Sequence, residues 1–233
     1  MVKLTPRAGE AESAYIRPVK PARLSLAFAV AAGLAAYVWL QASPPAAQQL
    51  QLTPVVADVL DDPGSPAAGP ADADVTVVLF TDYQCAVCKR TDSAVSRLLA
   101  SDPKVRVIWK DWPIRGPYSD LAARTALAAD RQGRYRQVHD ALMAARGQLT
   151  APRIADLAAQ AGADPVRLAA DLRSEARAID AQLGRHRRQA FSLGLQGTPA
   201  YLVGPYLIQG GLDDRALAAA VRRARRAGPP QPG

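Results

Sequence analysis

Apolar and polar positions divide the chain into a long N-terminal apolar run and a region of alternating strand and helix patterns. VTVVLF (75–80) is continuous, apolar and rich in β-branched residues, the pattern of a strand covered on both faces. A helix is predicted from Gln84 or Cys85 through Val87, Ala94, Val95, Leu98 and Leu99, ended by Asp102-Pro103. VRVIW (105–109) is the next strand, and VVADVL (55–60) reads as a short first one. From Tyr118 to Leu193 the pattern is helical. Segments 118–131 and 134–146 meet near Gly133, and a third follows Thr150, with Pro152 in its first turn and Gly162 after its end. A fourth starts at Asp164-Pro165 and a fifth runs to about Phe191. Gly194, Gly197 and Pro199 interrupt. AYLV (200–203) and YLIQG (206–210) then flank Gly204-Pro205 as a hairpin, and a helix from Asp213 to about Arg226 closes the pattern. No internal repeat is visible.

The N-terminal run, Leu24 to Leu40, holds 17 residues without a charge, about 25 Å as a helix and the short end of a membrane span. Tyr37 and Trp39 lie at its far end, where amphipathic aromatics favour the membrane interface. Residues 1–23 carry Lys3, Arg7, Arg17, Lys20 and Arg23 against Glu10 and Glu12. The positive-inside rule therefore predicts a cytoplasmic basic N-terminus (1–23), a transmembrane anchor (24–40) and everything after it exported. A cleaved signal peptide, leaving a soluble exported domain, is the competing reading. Pro44 and Pro45 sit badly for cleavage. Residues 41–70 read as a linker containing the short strand, 71–227 as the main domain, and 228–233 as a tail.

Composition changes this picture little. Hydrophobic residues at 49% suffice for a sizeable core, and the formal net charge is +8. The densest basic runs, 185–188 and 222–226, fall in helical stretches with no phosphate loop or aromatic-basic motif beside them. They read as solvated helix faces, and no nucleic-acid partner is expected.

Cys85 and Cys88 are the only cysteines. A pair three apart closes almost no loop, so a disulfide there would stabilise the fold little. Zinc would need more ligands than this pair, and His139 and His186 are not spaced to complete a set. No metal or cofactor is expected. A strand feeding a Cys-x-x-Cys helix is instead the pattern of a thioredoxin-like redox site. Residues three apart share a helix face, and the first turn offers free N–H groups and the positive dipole end. Both stabilise a thiolate. Cys85 is therefore expected to be the exposed attacking sulfur and Cys88 the buried resolving one.

Further motifs sharpen this. Phe80-Thr81-Asp82-Tyr83-Gln84-Cys85-Ala86-Val87-Cys88-Lys89 resembles the active-site segment of the DsbA-like thioredoxin-fold family. Lys110-Asp111-Trp112-Pro113-Ile114, Gly116-Pro117 and Ser119 are similar to the exit of its second strand. Residues 133–142 resemble its helical insert, and Gly197-Thr198-Pro199-Ala200 its cis-proline loop. The resemblance covers about residues 70–220. It implies an α/β thioredoxin-like fold with an inserted helical domain at about 118–193, preceded here by one transmembrane helix. It implies a protein disulfide oxidoreductase with Cys85 and Cys88 as its catalytic redox disulfide. It also implies a cis Pro199 that turns the Thr198 backbone toward an extended substrate. Partners so implied are cysteine-containing exported proteins and a quinone-linked redox protein of the bacterial inner membrane, with the catalytic domain in the periplasm.

Ala86 and Val87 depart from the family, which often carries Pro and then His or an aromatic there. Neither can donate a hydrogen bond to the Cys85 thiolate, which argues for a weaker oxidant. An oxidase is the first expectation. A membrane-tethered reductase or isomerase is the alternative, and a binding domain with vestigial cysteines is the third. Asp82 and Tyr83 are expected to shape the turn into the helix, and His139 to pack or cap within the insert.

Overall fold

The computed structural model describes residues 28, 30–34 and 45–229. The chain divides into two units, Met1–Ser43 and Pro44–Gly233. In the first, residues 28 and 30–34 are helical and exposed. Most of the expected 24–40 span lies outside the described residues. Among the described residues, no helix is long and apolar enough to cross a membrane.

The second unit is built on a six-stranded sheet: β1 (Ala47–Gln49), β2 (Ala67–Ala68), β3 (Val75–Thr81), β4 (Val105–Asp111), β5 (Ala200–Val203) and β6 (Tyr206–Gln209). The strand order is β1-β6-β5-β3-β4-β2. Only β3 and β4 pair in parallel, which requires the crossover helix α2 (Ala86–Ser101) between them. All other neighbours are antiparallel.

Alternation along the central strands sorts side chains onto two apolar faces. Val75, Val77 and Leu79 of β3, with Val105, Val107 and Trp109 of β4, join the larger cluster. That face is covered by α2 and by α8 (Asp214–Ala227), which pack on each other, and by the helical insert. Val78, Phe80 and Ile108 point the other way, toward Val56, Val59 and Ala190. The insert comprises α3 (Pro117–Asp130), α4 (Tyr135–Ala144), α5 (Ala151–Gln160) and α6 (Pro165–Ser174). The chain returns through α7 (Ala176–Ser192). Asp164 caps α6 by accepting the Arg167 amide, with Pro165 at its first position.

Residues 55–60 are not a strand. Pro54–Leu60 form a short helix, α1, whose cap Thr53 accepts the Val56 amide at 3.3 Å, with Pro54 in the first turn. The two valines it buries, Val56 and Val59, are three apart, which is helical spacing. Nor is 45–70 a linker. β1 pairs with β6 at one sheet edge, β2 pairs with β4 at the other, and α1 lies on a face of the sheet.

Extending β4 to Asp111 places two charged side chains inside the protein, one on each face. Lys110, fully buried, points to the α1/α7 side and meets Asp62 at 2.5 Å and Ser65 at 3.1 Å. Arg185 of α7 reaches the same Asp62 carboxylate at 3.0 Å. His186 bonds the Ser65 hydroxyl through Nε2 and the Asp111 carbonyl through Nδ1. These bonds fasten α7 and the 62–65 loop to the sheet. Burial of an ion pair is tolerated only with its hydrogen bonds met, as here.

Candidate active site

β3 delivers the chain to Asp82 at the sheet's C-terminal edge. The Asp82 carboxylate accepts the Gln84 amide (2.7 Å), the Ile114 amide (2.7 Å), the Arg115 amide (3.1 Å) and the Ser119 hydroxyl. Its carbonyl accepts the Cys85 amide at 3.1 Å. One buried carboxylate thus fixes the turn before the cysteines and pins it to the loop entering α3.

Cys85 is the N-cap of α2, and its sulfur accepts the Cys88 amide at 3.4 Å. The sulfur takes the place that a Ser or Asp oxygen normally fills at a helix start. Hydrogen bonding from the Cys88 thiol, which outweighs the opposing effect of burial and is aided by the Cys88 amide, holds the Cys85 thiol pKa down to about 5. The positive end of the helix acts in the same sense. Cys88, one turn in and buried, has its pKa pushed far up, first by desolvation and then by its bond to Cys85. Both sulfurs are present as free thiols. The pair is therefore split into one readily ionised and one proton-holding sulfur.

The structure differs from expectation on exposure: Cys85 is buried like Cys88. Capping turns its sulfur inward, where it also donates to the Thr198 carbonyl at 3.2 Å. The Thr198–Pro199 bond is cis. Gly210 donates its amide to the Pro199 carbonyl at 2.9 Å, which ties this loop to the end of β6. The structure therefore brings Thr198 and Cys85, 113 residues apart, into direct contact. The Thr198 hydroxyl is buried and has no hydrogen-bond partner. It is among the groups lowering the pKa of both cysteines. Ala86 and Val87 offer no donor, and this hydroxyl, unpaired while both sulfurs are thiols, is free to serve as one.

Gly211 sets how closely the loop after β6 approaches α2. A Cβ there would stand 2.7 Å from Val87 Cγ1 and 2.9 Å from Thr91 Cγ2, so only glycine lets the 210–212 loop approach α2 this closely.

Behind the cysteines, the insert is locked to the site. His139 of α4 is fully buried. Its Nε2 lies 3.0 Å from Asp92 of α2, and its Nδ1 lies 3.0 Å from the Tyr83 hydroxyl. With Nε2 donating to the Asp92 carboxylate, Nδ1 is left to accept from the Tyr83 hydroxyl. His139 thus fastens the insert to the active-site helix and turn rather than packing within the insert alone. Asp140 brings a third ligand-type atom to His139 and Asp92, all within 4.8 Å. Both histidine nitrogens are already bonded, and Asp140 is held by Arg136 at 2.8 Å, so the cluster serves as a structural tie. Tyr135 stacks on His139 and donates to Asp111 at 3.2 Å. Burial pushes the Asp111 carboxyl up to about 6. Asp92 stands in no sequence motif, and Asp111 appears only within the Lys110–Ile114 segment, with no role of its own. The apolar pattern around each marks a buried face, and that was the available signal.

Residues 76–222 match the family described as the DSBA-like thioredoxin domain. A thioredoxin-like oxidoreductase from Silicibacter pomeroyi is 38% identical, with a TM-score of 0.69, covering 73% of this chain and 97% of that one. A periplasmic thioredoxin-like protein from Salmonella enterica serovar Typhimurium is 33% identical, with a TM-score of 0.68, covering 76% and 99%. A curated relative, the Na(+)/H(+) antiporter NhaA 1 of Salinispora arenicola, is 31% identical over 158 residues, which is 67% of this chain and 24% of that protein. The chain thus spans about a quarter of the length of the curated relatives it matches.

Proposed function

The chain belongs to the DSBA-like thioredoxin domain family, and from that premise we propose that it is a thiol:disulfide oxidoreductase that oxidises exported proteins through a Cys85–Cys88 disulfide. One observation carries the reading: Cys85 caps α2 with its sulfur and faces the cis Thr198–Pro199 loop, while Cys88 lies buried one turn in.

Exchange proceeds in two steps. A substrate thiolate attacks Cys85 Sγ, forming a Cys85–substrate disulfide and releasing Cys88 as a thiolate. Cys88 takes up a proton readily, because its burial disfavours the anion. A second substrate thiolate then attacks the substrate sulfur of the mixed disulfide. Cys85 departs as a thiolate, and its pKa of about 5 makes it a good leaving group. The substrate has lost two electrons and two protons; the protein has gained both electrons, Cys88 holds one proton, and the other passes to solvent while Cys85 stays a thiolate near neutral pH. The Thr198 backbone, beside Cys85, is suited to hold an extended substrate segment. Return to the disulfide would come from an oxidised membrane partner of quinone-linked type.

The uncharged run Leu24–Leu40 behind a basic segment supports a single-pass tether in the bacterial inner membrane, with the catalytic domain in the periplasm. A cleaved leader and a soluble periplasmic domain is the alternative. A reductase or isomerase is favoured by one feature, the absence of donors at Ala86 and Val87. The reduction potential separates the readings. A value approaching about −120 mV supports the oxidase, and one near about −270 mV supports the reductase. Failure of the full chain to oxidise a reduced, unfolded test protein would remove the oxidase reading.

A further inference from the structure

Cationic residues lie on three segments that carry, or are hydrogen-bonded to, the turn and first residues of α2 that hold the cysteine pair. Arg90 is exposed on the first turns of α2, two residues past Cys88. Arg115 is exposed in the loop entering α3, with its backbone amide held 3.1 Å from Asp82. The loop between α4 and α5 is fastened to the same place. Its Leu149 amide donates to the Gln84 side chain at 3.1 Å, and Lys89 donates to the Leu142 and Ala145 carbonyls at 2.6 and 2.9 Å. That loop carries exposed Arg146. The guanidinium of exposed Arg153 lies 3.8 Å from where a Cβ on Gly147 would stand. Arg153 is also close enough to help lower the Lys89 pKa, after desolvation.

Among the described residues, none of these four arginines has a carboxylate partner within salt-bridge distance. Nearby anions are committed elsewhere. Asp82 is buried with its four donors, Asp214 pairs with Arg97, and Asp213 caps α8 through the Ala216 amide. Four exposed cations without a carboxylate partner, on segments adjoining the active-site turn, give the approach to that turn a positive field.

We propose that the rim formed by Arg90, Arg115, Arg146 and Arg153 selects polypeptides whose reacting cysteine is flanked by acidic residues. This rests on the exchange chemistry proposed above and adds a substrate class to it. The positive field speeds encounter with an acidic segment and slows a basic one. It does so without entering the bond-making step, so the arginines act as specificity-determining residues. Each peptide thiol pair loses two electrons and two protons to become a disulfide; the Cys85–Cys88 disulfide gains both electrons, Cys88 takes one proton, and the other is released to solvent.

The test uses the full chain in its disulfide form and three dithiol peptides of one sequence, with the cysteines flanked by glutamate, serine or lysine. Rates are compared per thiolate, since acidic neighbours raise a peptide thiol pKa. At low salt the acidic peptide is expected to react about tenfold faster than the neutral one, and the basic peptide about tenfold slower. The spread should collapse at high salt, where the Debye length falls to about 3 Å. The Arg146→Glu/Arg153→Glu variant should lose or invert the order, read as the ratio of the acidic-peptide rate to the basic-peptide rate. Equal, salt-independent rates for all three peptides would overturn the rim, leaving the exchange reading intact. An order unchanged in the variant would overturn it as well. If no peptide is oxidised, the exchange reading falls and the rim proposal falls with it.

Discussion

The sulfur of Cys85 sits 3.4 Å from the amide nitrogen of Cys88, in the position of a helix-capping acceptor. Thiolate chemistry and helix initiation therefore depend on the same atom. A negative sulfur caps better than a neutral one, so ionisation of Cys85 strengthens the start of α2. A disulfide to Cys88 removes that charge.

The first prediction concerns ionisation. In the reduced protein, thiolate absorbance should titrate at about pH 5, the value to which bonding from Cys88 lowers Cys85. The folded pKa lies below that of an unfolded thiol. Reduced-state stability from this group is thus fully present above the unfolded pKa and is lost as pH falls through about 5. Thr198→Val removes the unpartnered hydroxyl and should raise the titration midpoint by about 1 unit. An unchanged midpoint in that variant would show that the hydroxyl contributes nothing to the thiolate.

A second prediction concerns the buried cation on the opposite face. Asp62→Ala strands the Lys110 ammonium, which has no exposed surface, and should cost about 3–5 kcal/mol in urea unfolding. Adding Lys110→Met should recover most of that loss, because an apolar side chain of similar length needs no counter-charge. If the double variant is no more stable than the single one, Asp62 acts through Arg185 and Ser65 rather than through the ion pair.

The third follows from Asp111. Burial raises its carboxyl from 3.8 to about 6, so the folded state holds this proton more tightly than the unfolded chain does. The group's contribution to stability is fully present below about pH 4 and is lost as pH rises through about 6. The span corresponds to roughly 3 kcal/mol. Asp111→Asn keeps an acceptor for Tyr135 and should flatten the stability profile between pH 4 and pH 6. Thermal unfolding across that range checks it, and a profile identical to the unsubstituted protein would mean that Asp111 does not hold the proton.

These side chains show what could be read from the sequence and what could not. The strand at 75–80 and the helix at Asp164-Pro165 were legible because each carries its own local signal: a β-branched apolar run in one, a cap followed by proline in the other. The cysteine pair and the Thr198-Pro199 turn were legible as motifs. The burial of Lys110 and Asp111 was not, since a charged dipeptide after VRVIW looks like the end of a strand. Their burial depends on partners such as Asp62, 48 residues away. The strands at 47–49 and 67–68 are too short to carry an apolar pattern and exist only through their pairing with β6 and β4. The helix at 54–60 is different. Thr53-Pro54 is a cap followed by proline, the same signal as at Asp164-Pro165, and the β-branched content of VVADVL outweighed it. The exposure expected of Cys85 failed because a capping sulfur faces the helix rather than solvent.

The most direct measurement is trapping of the mixed disulfide. The Cys88→Ala full chain, incubated with a peptide disulfide near neutral pH and quenched in acid, should gain the mass of one peptide. Peptide mapping should place it on Cys85, and Cys85→Ala should gain none. Absence of an adduct on Cys85, or equal labelling of Cys88 in the Cys85→Ala protein, would contradict exchange through Cys85.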